Sequence, residues 1–320
     1  MSITKENVVT KENLVINRQC CPICKSRDRT ILFKAKHNSP EFFEFIKLEK
    51  FLSKAFYDVY NKGAINELLF EIAECNFCHF IYLTEVLNDK GMELLYNEWL
   101  DQDLLKAHYQ NQKYSTYEEG MVKVIKKHFK NKAKINVMDF GAGYGNFCAI
   151  AAKQGANTYA FDLSTDKNDH MNNMGVTIIN NFDNYKGYFD LIYVNQVVEH
   201  VSDPGGILNG LKECLTDNGI IFIATPNCRD VKKIIKRDGL SQRLFNSLSP
   251  HQHINAFDND SLKRLAKKAG LKPLSIINFF TMLKMSFSFV ESKFWIKTFL
   301  KNSMYGTFLF FSPIINESAR

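Results

Sequence analysis

The 320-residue chain has no leading apolar segment: Met1-Ser-Ile-Thr-Lys-Glu-Asn is polar and of mixed charge, without the core of a signal peptide. A cytoplasmic protein is therefore expected. Nowhere does the chain run for the roughly 18 uncharged apolar residues that spanning a bilayer requires, so no transmembrane helix is expected. Charge of one sign is also scarce. Against 34 acidic residues stand 41 basic ones, a diffuse net +7 that does not single out a nucleic-acid partner. Without a secretion signal, the eight cysteines are expected to be thiols and metal ligands in a reducing compartment, not a disulfide framework. What is present, at 45% hydrophobic residues, is enough to bury one sizeable core with an appended small domain.

Ile135-Asn-Val-Met-Asp-Phe140 reads as a short apolar strand, running through Gly141-Ala-Gly-Tyr-Gly145 into a helix. A chain that leaves a parallel strand and doubles back into a helix needs unusual backbone angles and close ligand approach, which Gly141, Gly143 and Gly145 supply. Twenty-three positions after Asp139, a second apolar strand, Thr158-Tyr-Ala-Phe-Asp162, ends in Asp162, where a carboxylate can accept both hydrogen bonds of a ribose diol. The third glycine of the dinucleotide fingerprint is missing: Phe147 and Cys148 follow Asn146, and no diphosphate cradle is evident.

The segment resembles the first motif of class I S-adenosylmethionine-dependent methyltransferases. The resemblance implies Asp139 beneath the loop, the glycines against the methionine part of the cofactor, Tyr144 and Asn146 touching it, and Asn181 or Phe182 meeting the adenine. Phe189 to Pro204 reads as a buried strand leaving into a loop and Gly219 to Asn227 as another, both like later strands of that fold, with Asn195 at the cofactor end. Glu199-His200, followed by Asp203-Pro204, is similar to a variant in which this loop lies beside the sulfonium; the plainer reading is a cap for the helix beginning near Pro204. The Asn/Asp-Pro-Pro-aromatic signature of base amino-group methylation and a Pro-Cys nucleophile are both lacking, which weighs against an RNA or DNA methyltransferase. A zinc-containing binding module without catalysis is the other alternative.

Cys21-Pro-Ile-Cys24 and Cys75-Asn-Phe-Cys78 are two knuckles of the spacing that completes a tetrahedral site, with zinc the expected metal. The segment between them is long, and the apolar residues from Phe42 to Phe56 predict a small helix or two packed there. The position after each second cysteine, often glycine in such knuckles, holds Lys25 and His79. Cys20 in place of Cys21, His79 in place of Cys78, and four thiols without metal remain open readings. Taken with the glycine loop, this order of motifs resembles bacterial sugar methyltransferases with an N-terminal zinc-binding domain. Their zinc is implied to be structural, because four thiolates leave no open coordination position.

Ser249-Pro-His-Gln-His-Ile-Asn precedes a helix that Gly270 stops. The resemblance puts His253 on the family's candidate base, with His251 beside it and Gln252 replacing a carboxylate; the alternative is a loop-ordering histidine. Arg229, Lys232, Lys233, Lys236, Arg237 and Arg243 form a basic segment that reads either as a diphosphate clamp for a nucleotide-sugar or as a solvated face. The aromatic residues after 276, with Lys293, Lys297 and Lys301, read as a basic amphipathic helix: a peripheral membrane contact, a subunit interface or a cover for the core.

The expected architecture is α/β. It comprises an N-terminal zinc-ribbon-like domain (1–90), a helical connector (91–134), a Rossmann-like doubly wound methyltransferase sheet (135–275) and an aromatic helical tail (276–320). The expected reaction is O- or C-methylation of a sugar or nucleotide-sugar, in surface polysaccharide or secondary-metabolite biosynthesis, with S-adenosyl-L-methionine and structural Zn2+ as cofactors.

Overall fold

A computed structural model describes residues 11–63, 65–110, 116–164, 167–274 and 307–313. The chain divides into two compact units, one formed by residues 1–107 and 230–255, the other by residues 108–229 and 256–320. In chain order, the early strands are β1 (Val15–Asn17), β2 (Arg29–Lys36), β3 (Leu69–Cys75), β4 (Ile81–Leu83) and β5 (Glu85–Leu87). There follow β6 (Asn136–Phe140), β7 (Asn157–Phe161), β8 (Thr177–Ile178), β9 (Phe189–Asn195), β10 (Leu215–Thr225), β11 (Asn255–Ala256), β12 (Leu271–Leu274) and β13 (Thr307–Pro313).

The first unit carries a sheet of order β11-β4-β3-β2 and the antiparallel pair β1-β5. Between β2 and β3 the chain folds into helices Pro40–Ile46 and Lys54–Asn61, each started by a serine, Ser39 and Ser53, whose hydroxyl accepts a backbone N–H of the first turn. These helices bury Phe42, Phe45 and Phe56 with Phe70 of β3 and Trp99, a satellite core that the long inter-knuckle segment exists to build. Residues 230–255, which the sequence reading places in the methyltransferase domain, cluster with this unit through helix Val231–Asp238.

The second unit is a seven-stranded sheet of order β12-β13-β10-β9-β6-β7-β8. Strands β10, β9, β6, β7 and β8 run parallel, and β9 is buried on both faces from Phe189 to Val194, as a strand covered by helices on either side must be. Helices Thr116–His128 and Asn146–Lys153 lie on one face, where Met121, Val122, Ile125, Phe147, Ile150 and Tyr193 join one core. β13 pairs antiparallel with both β10 and β12, making the sheet mixed. Here the expected helical tail is corrected over its described part, since Thr307–Pro313 is a strand. Phe310 and Phe311 are both buried, and an apolar run without alternation cannot be told from a buried helix by period alone. The remainder of the tail, 276–306 and 314–320, lies outside the described residues. Among the described residues, no helix is long and apolar enough to cross a membrane.

Candidate functional site

The glycine turn in the second unit is built by backbone hydrogen bonds. Gly141 and Ala142 N–H donate to the Phe161 carbonyl at 2.8 and 3.1 Å, and Gly145 N–H closes the turn on the Ala142 carbonyl at 2.8 Å. Gly141, Gly143 and Gly145 take φ of 79°, 54° and 73°, the left-handed region that glycine enters freely. A Cβ on Gly141 would stand 2.5 Å from Val197 Cγ2 and one on Gly145 2.9 Å from Met171 Cγ, whereas one on Gly143 would meet nothing. Gly143 thus leaves an open face on the loop. Tyr144 is half-buried, its ring edge-on to His170 and beneath the Lys167 ammonium, 5.3 Å from the ring centre.

Asp162 ends β7 and ties the loop down: Oδ2 accepts Gly143 N–H at 2.7 Å and Oδ1 accepts Ser164 N–H at 2.9 Å. Each carboxylate oxygen keeps a further lone pair for a ligand hydroxyl. Asp139, 4% exposed on β6, is pushed up to about 8, mainly by burial, with the Asp162 and Glu118 carboxylates adding to the rise; the Cys148 thiol, 3.8 Å from Oδ2, opposes it. Beyond the loop, Phe140 and Phe161 stack at 5.0 Å and Phe182 closes edge-on over both. Asn181 is exposed and caps the turn Phe182–Tyr185 by accepting Asp183 N–H; Asn195 is exposed at the end of β9. Glu199 is 1% exposed, and burial pushes its carboxyl up to about 8; His200 Nε2 lies 3.8 Å from its Oε1. The helix that follows begins at Pro204 with Asp203 as its N-cap residue.

In the first unit, the histidine loop separates its two histidines by environment. His251, at φ 68°, is 6% exposed, its ring edge-on to His37 at 5.2 Å and tilted against Phe56 at 5.8 Å; burial lowers its pKa to about 4. This is the setting of a neutral core histidine. His253 is lowered by burial as well, opposed by the Asn246 backbone, and is locked by Ser249: its N–H donates to the Ser249 hydroxyl at 3.1 Å and its carbonyl accepts Ser249 N–H. The carboxylate absent at Gln252 is supplied from elsewhere, because Gln252 Nε2 donates to Glu49 Oε2 at 2.7 Å. No sequence signal links Glu49 to this loop. Of the basic segment, Lys232 pairs with Glu74, Lys233 with Asp230, and Arg237 and Arg243 with Asp238, as a solvated face does.

The four cysteines converge. The sulfurs of Cys21, Cys24, Cys75 and Cys78 all lie within 4.8 Å of one another, with Cys21 to Cys78 at 3.6 Å and Cys24 to Cys75 at 3.3 Å, and none forms a disulfide. The two knuckles repeat one hydrogen-bond pattern: Lys25 N–H to Cys21 carbonyl and Cys21 N–H to Ser26 carbonyl, then His79 N–H to Cys75 carbonyl and Cys75 N–H to Phe80 carbonyl, each at 2.9 Å. Lys25 and His79 take φ of 63° and 59°, so the turn that glycine usually makes is made by other residues. A tetrahedral ion bound by thiolates at about 2.3 Å sets sulfurs about 3.8 Å apart, and the cluster fits one such ion. Neither Cys20 nor His79 belongs to it.

Residues 109–276 match the family profile described as a methyltransferase domain. The ubiquinone biosynthesis O-methyltransferase of Rickettsia typhi is 31% identical over 119 residues, 34% of this chain and 48% of that protein. Its counterpart from Hydrogenovibrio crunogenus is 24% identical over 158 residues, 45% of this chain and 65% of that protein. The chain thus spans about half to two thirds of the length of these curated relatives. Among solved structures, the plantazolicin methyltransferase BamL, in complex with a triazolic desmethylPZN analog and SAH, aligns at 15% identity with a TM-score of 0.49, over 68% of this chain and 92% of that one. With the glycine turn, both strand-end aspartates and the parallel strands inside a profile that covers more than half of the sequence, the chain belongs to the methyltransferase-domain family.

Proposed function

We propose that the protein transfers the methyl group of S-adenosylmethionine to a small-molecule acceptor, a sugar or nucleotide-sugar, and that Cys21, Cys24, Cys75 and Cys78 hold a structural zinc ion. The observation that carries the sugar reading is the paired cysteine knuckle, which lies outside the matched residues 109–276 and, in sequence order before the glycine loop, has the arrangement of the sugar methyltransferases that the chain resembles.

When bound, the cofactor supplies an activated methyl on a positively charged sulfur. The chain's own residues bind and orient it: Gly141, Gly143 and Gly145 present backbone to the aminoacyl end, Asp162 accepts from the ribose, and Phe182 offers a ring to the adenine. His253 takes the acceptor's proton at a ring nitrogen. Its lowered pKa leaves the imidazole neutral at pH 7, the form that accepts a proton. Replacing His253 with Ala is expected to lower turnover by about a hundredfold or more with cofactor affinity nearly intact, measured by steady-state kinetics and calorimetry; unchanged turnover removes His253 from the mechanism.

A second reading has support in the names of the relatives, ubiquinone biosynthesis O-methyltransferases: an aromatic hydroxyl as the acceptor. Mass spectrometry of nucleotide-sugars and of catechols after incubation with enzyme and cofactor separates the two. A gain of one methyl on a nucleotide-sugar supports the first, a gain on the catechol alone supports the second, and no gain on either overturns both.

A further inference from the structure

We propose that Glu118 binds the α-ammonium group of the cofactor's aminoacyl tail. The inference rests on the S-adenosylmethionine reading and names a residue that no motif marks.

Glu118 stands in the first turn of helix Thr116–His128. Its Oε1 accepts the Tyr193 hydroxyl at 3.3 Å, while Oε2 is shielded from solvent and accepts nothing. Tyr193 itself has no freedom to look elsewhere, being 4% exposed and stacked between Phe147 at 3.8 Å and Phe222 at 5.1 Å. It is the register partner of Asp139 on the neighbouring parallel strand, so their side chains leave the sheet on the same face. A rigid ring therefore holds the Glu118 carboxylate beside the foot of the glycine loop. That proximity is felt by Asp139, whose carboxyl is raised by Glu118 as well as by Asp162.

Three carboxylates thus share this end of the sheet, and among the described residues none of the three is in an ion pair with a lysine or arginine. A buried carboxylate oxygen without a donor is costly, and the shielded Oε2 of Glu118 calls for a donor, best met by a cationic one. The cofactor carries two positive groups, and they differ chemically. An ammonium has three N–H donors; a sulfonium has none. The vacant acceptor Oε2 of Glu118 therefore matches the ammonium. Asp162 is already engaged by two backbone N–H groups and Asp139, raised to about 8, keeps its own proton at pH 7, which leaves Glu118 as the carboxylate with a whole oxygen to give.

S-Adenosylhomocysteine keeps the ammonium and lacks the sulfonium charge, which makes it the probe, with its analogue lacking the amino group as comparison. Titration calorimetry on the full chain is expected to show wild type favouring S-adenosylhomocysteine about tenfold to a hundredfold over that analogue, the range of a charge-assisted hydrogen bond. In Glu118→Gln the preference should fall to within about threefold, through weaker binding of S-adenosylhomocysteine and unchanged binding of the analogue. Glu119→Gln, in the same helical turn, should keep the wild-type preference. Tyr193→Phe, which leaves the carboxylate in place, should lower the preference without erasing it. A Glu118→Gln enzyme that discriminates as wild type does, or one that loses both ligands equally, overturns the assignment. Wild type binding neither compound overturns the cofactor reading and this inference together.

Discussion

Gly141, Gly143 and Gly145 share a left-handed backbone and meet different surroundings, so alanine at each asks a different question. At Gly141 the new methyl collides with the stiff Val197 side chain; at Gly143 only the backbone penalty of about 1–2 kcal/mol applies. Gly143→Ala is accordingly expected to fold with a melting temperature lowered by a few degrees and to lose at least tenfold in cofactor affinity, because its methyl occupies the open face. Gly141→Ala should melt lower still; thermal denaturation and calorimetry read both. Glu199 gives a pH test. Its folded pKa is raised from 4.5 to about 8, so its protonated form stabilises the fold below about 4.5 and that contribution is lost as pH rises through about 8. Glu199→Gln should therefore gain melting temperature relative to wild type between pH 5 and 8.5. A difference that is flat with pH would deny the raised value.

At the scale of elements, the readable ones were those specified by neighbours in sequence. The cysteine spacing, the glycine turn and the apolar strands β6, β7 and β9 each carry their signal within a few residues. The two helices between the knuckles were legible from Phe42 to Phe56 for the same reason. Lys25 and His79 looked like departures from a glycine pattern, yet both adopt the turn, at a local strain of about 1–2 kcal/mol each. Under the zinc reading, elemental analysis should find zinc bound to the purified chain. Chelation should then abolish hydrogen-exchange protection in β2 and β3 while β6 and β9 keep theirs. Protection unchanged on metal removal would leave the cysteines as a cluster of thiols.

On the scale of the whole molecule, β13 was the element least visible beforehand. Phe310 and Phe311 have no alternation to mark a strand, and their place between β10 and β12 is decided by partners about 36 to 90 residues upstream. Phe311 is fully buried there, and Phe311→Ala is expected to cost about 3–5 kcal/mol, measurable by denaturant unfolding. The same holds for the histidine loop: two residues apart in sequence, His251 enters an aromatic core and His253 a hydrogen-bonded turn, and Gln252 gains Glu49 from the turn after helix Pro40–Ile46. By itself, the sequence determined the glycine turn, the two strand-end aspartates and the paired knuckles, because backbone angle and short spacing are local constraints. Only the tertiary structure decided which carboxylates gather around Asp139, which histidine is buried and what the tail becomes, because burial and charge proximity depend on residues that meet only when the chain has folded.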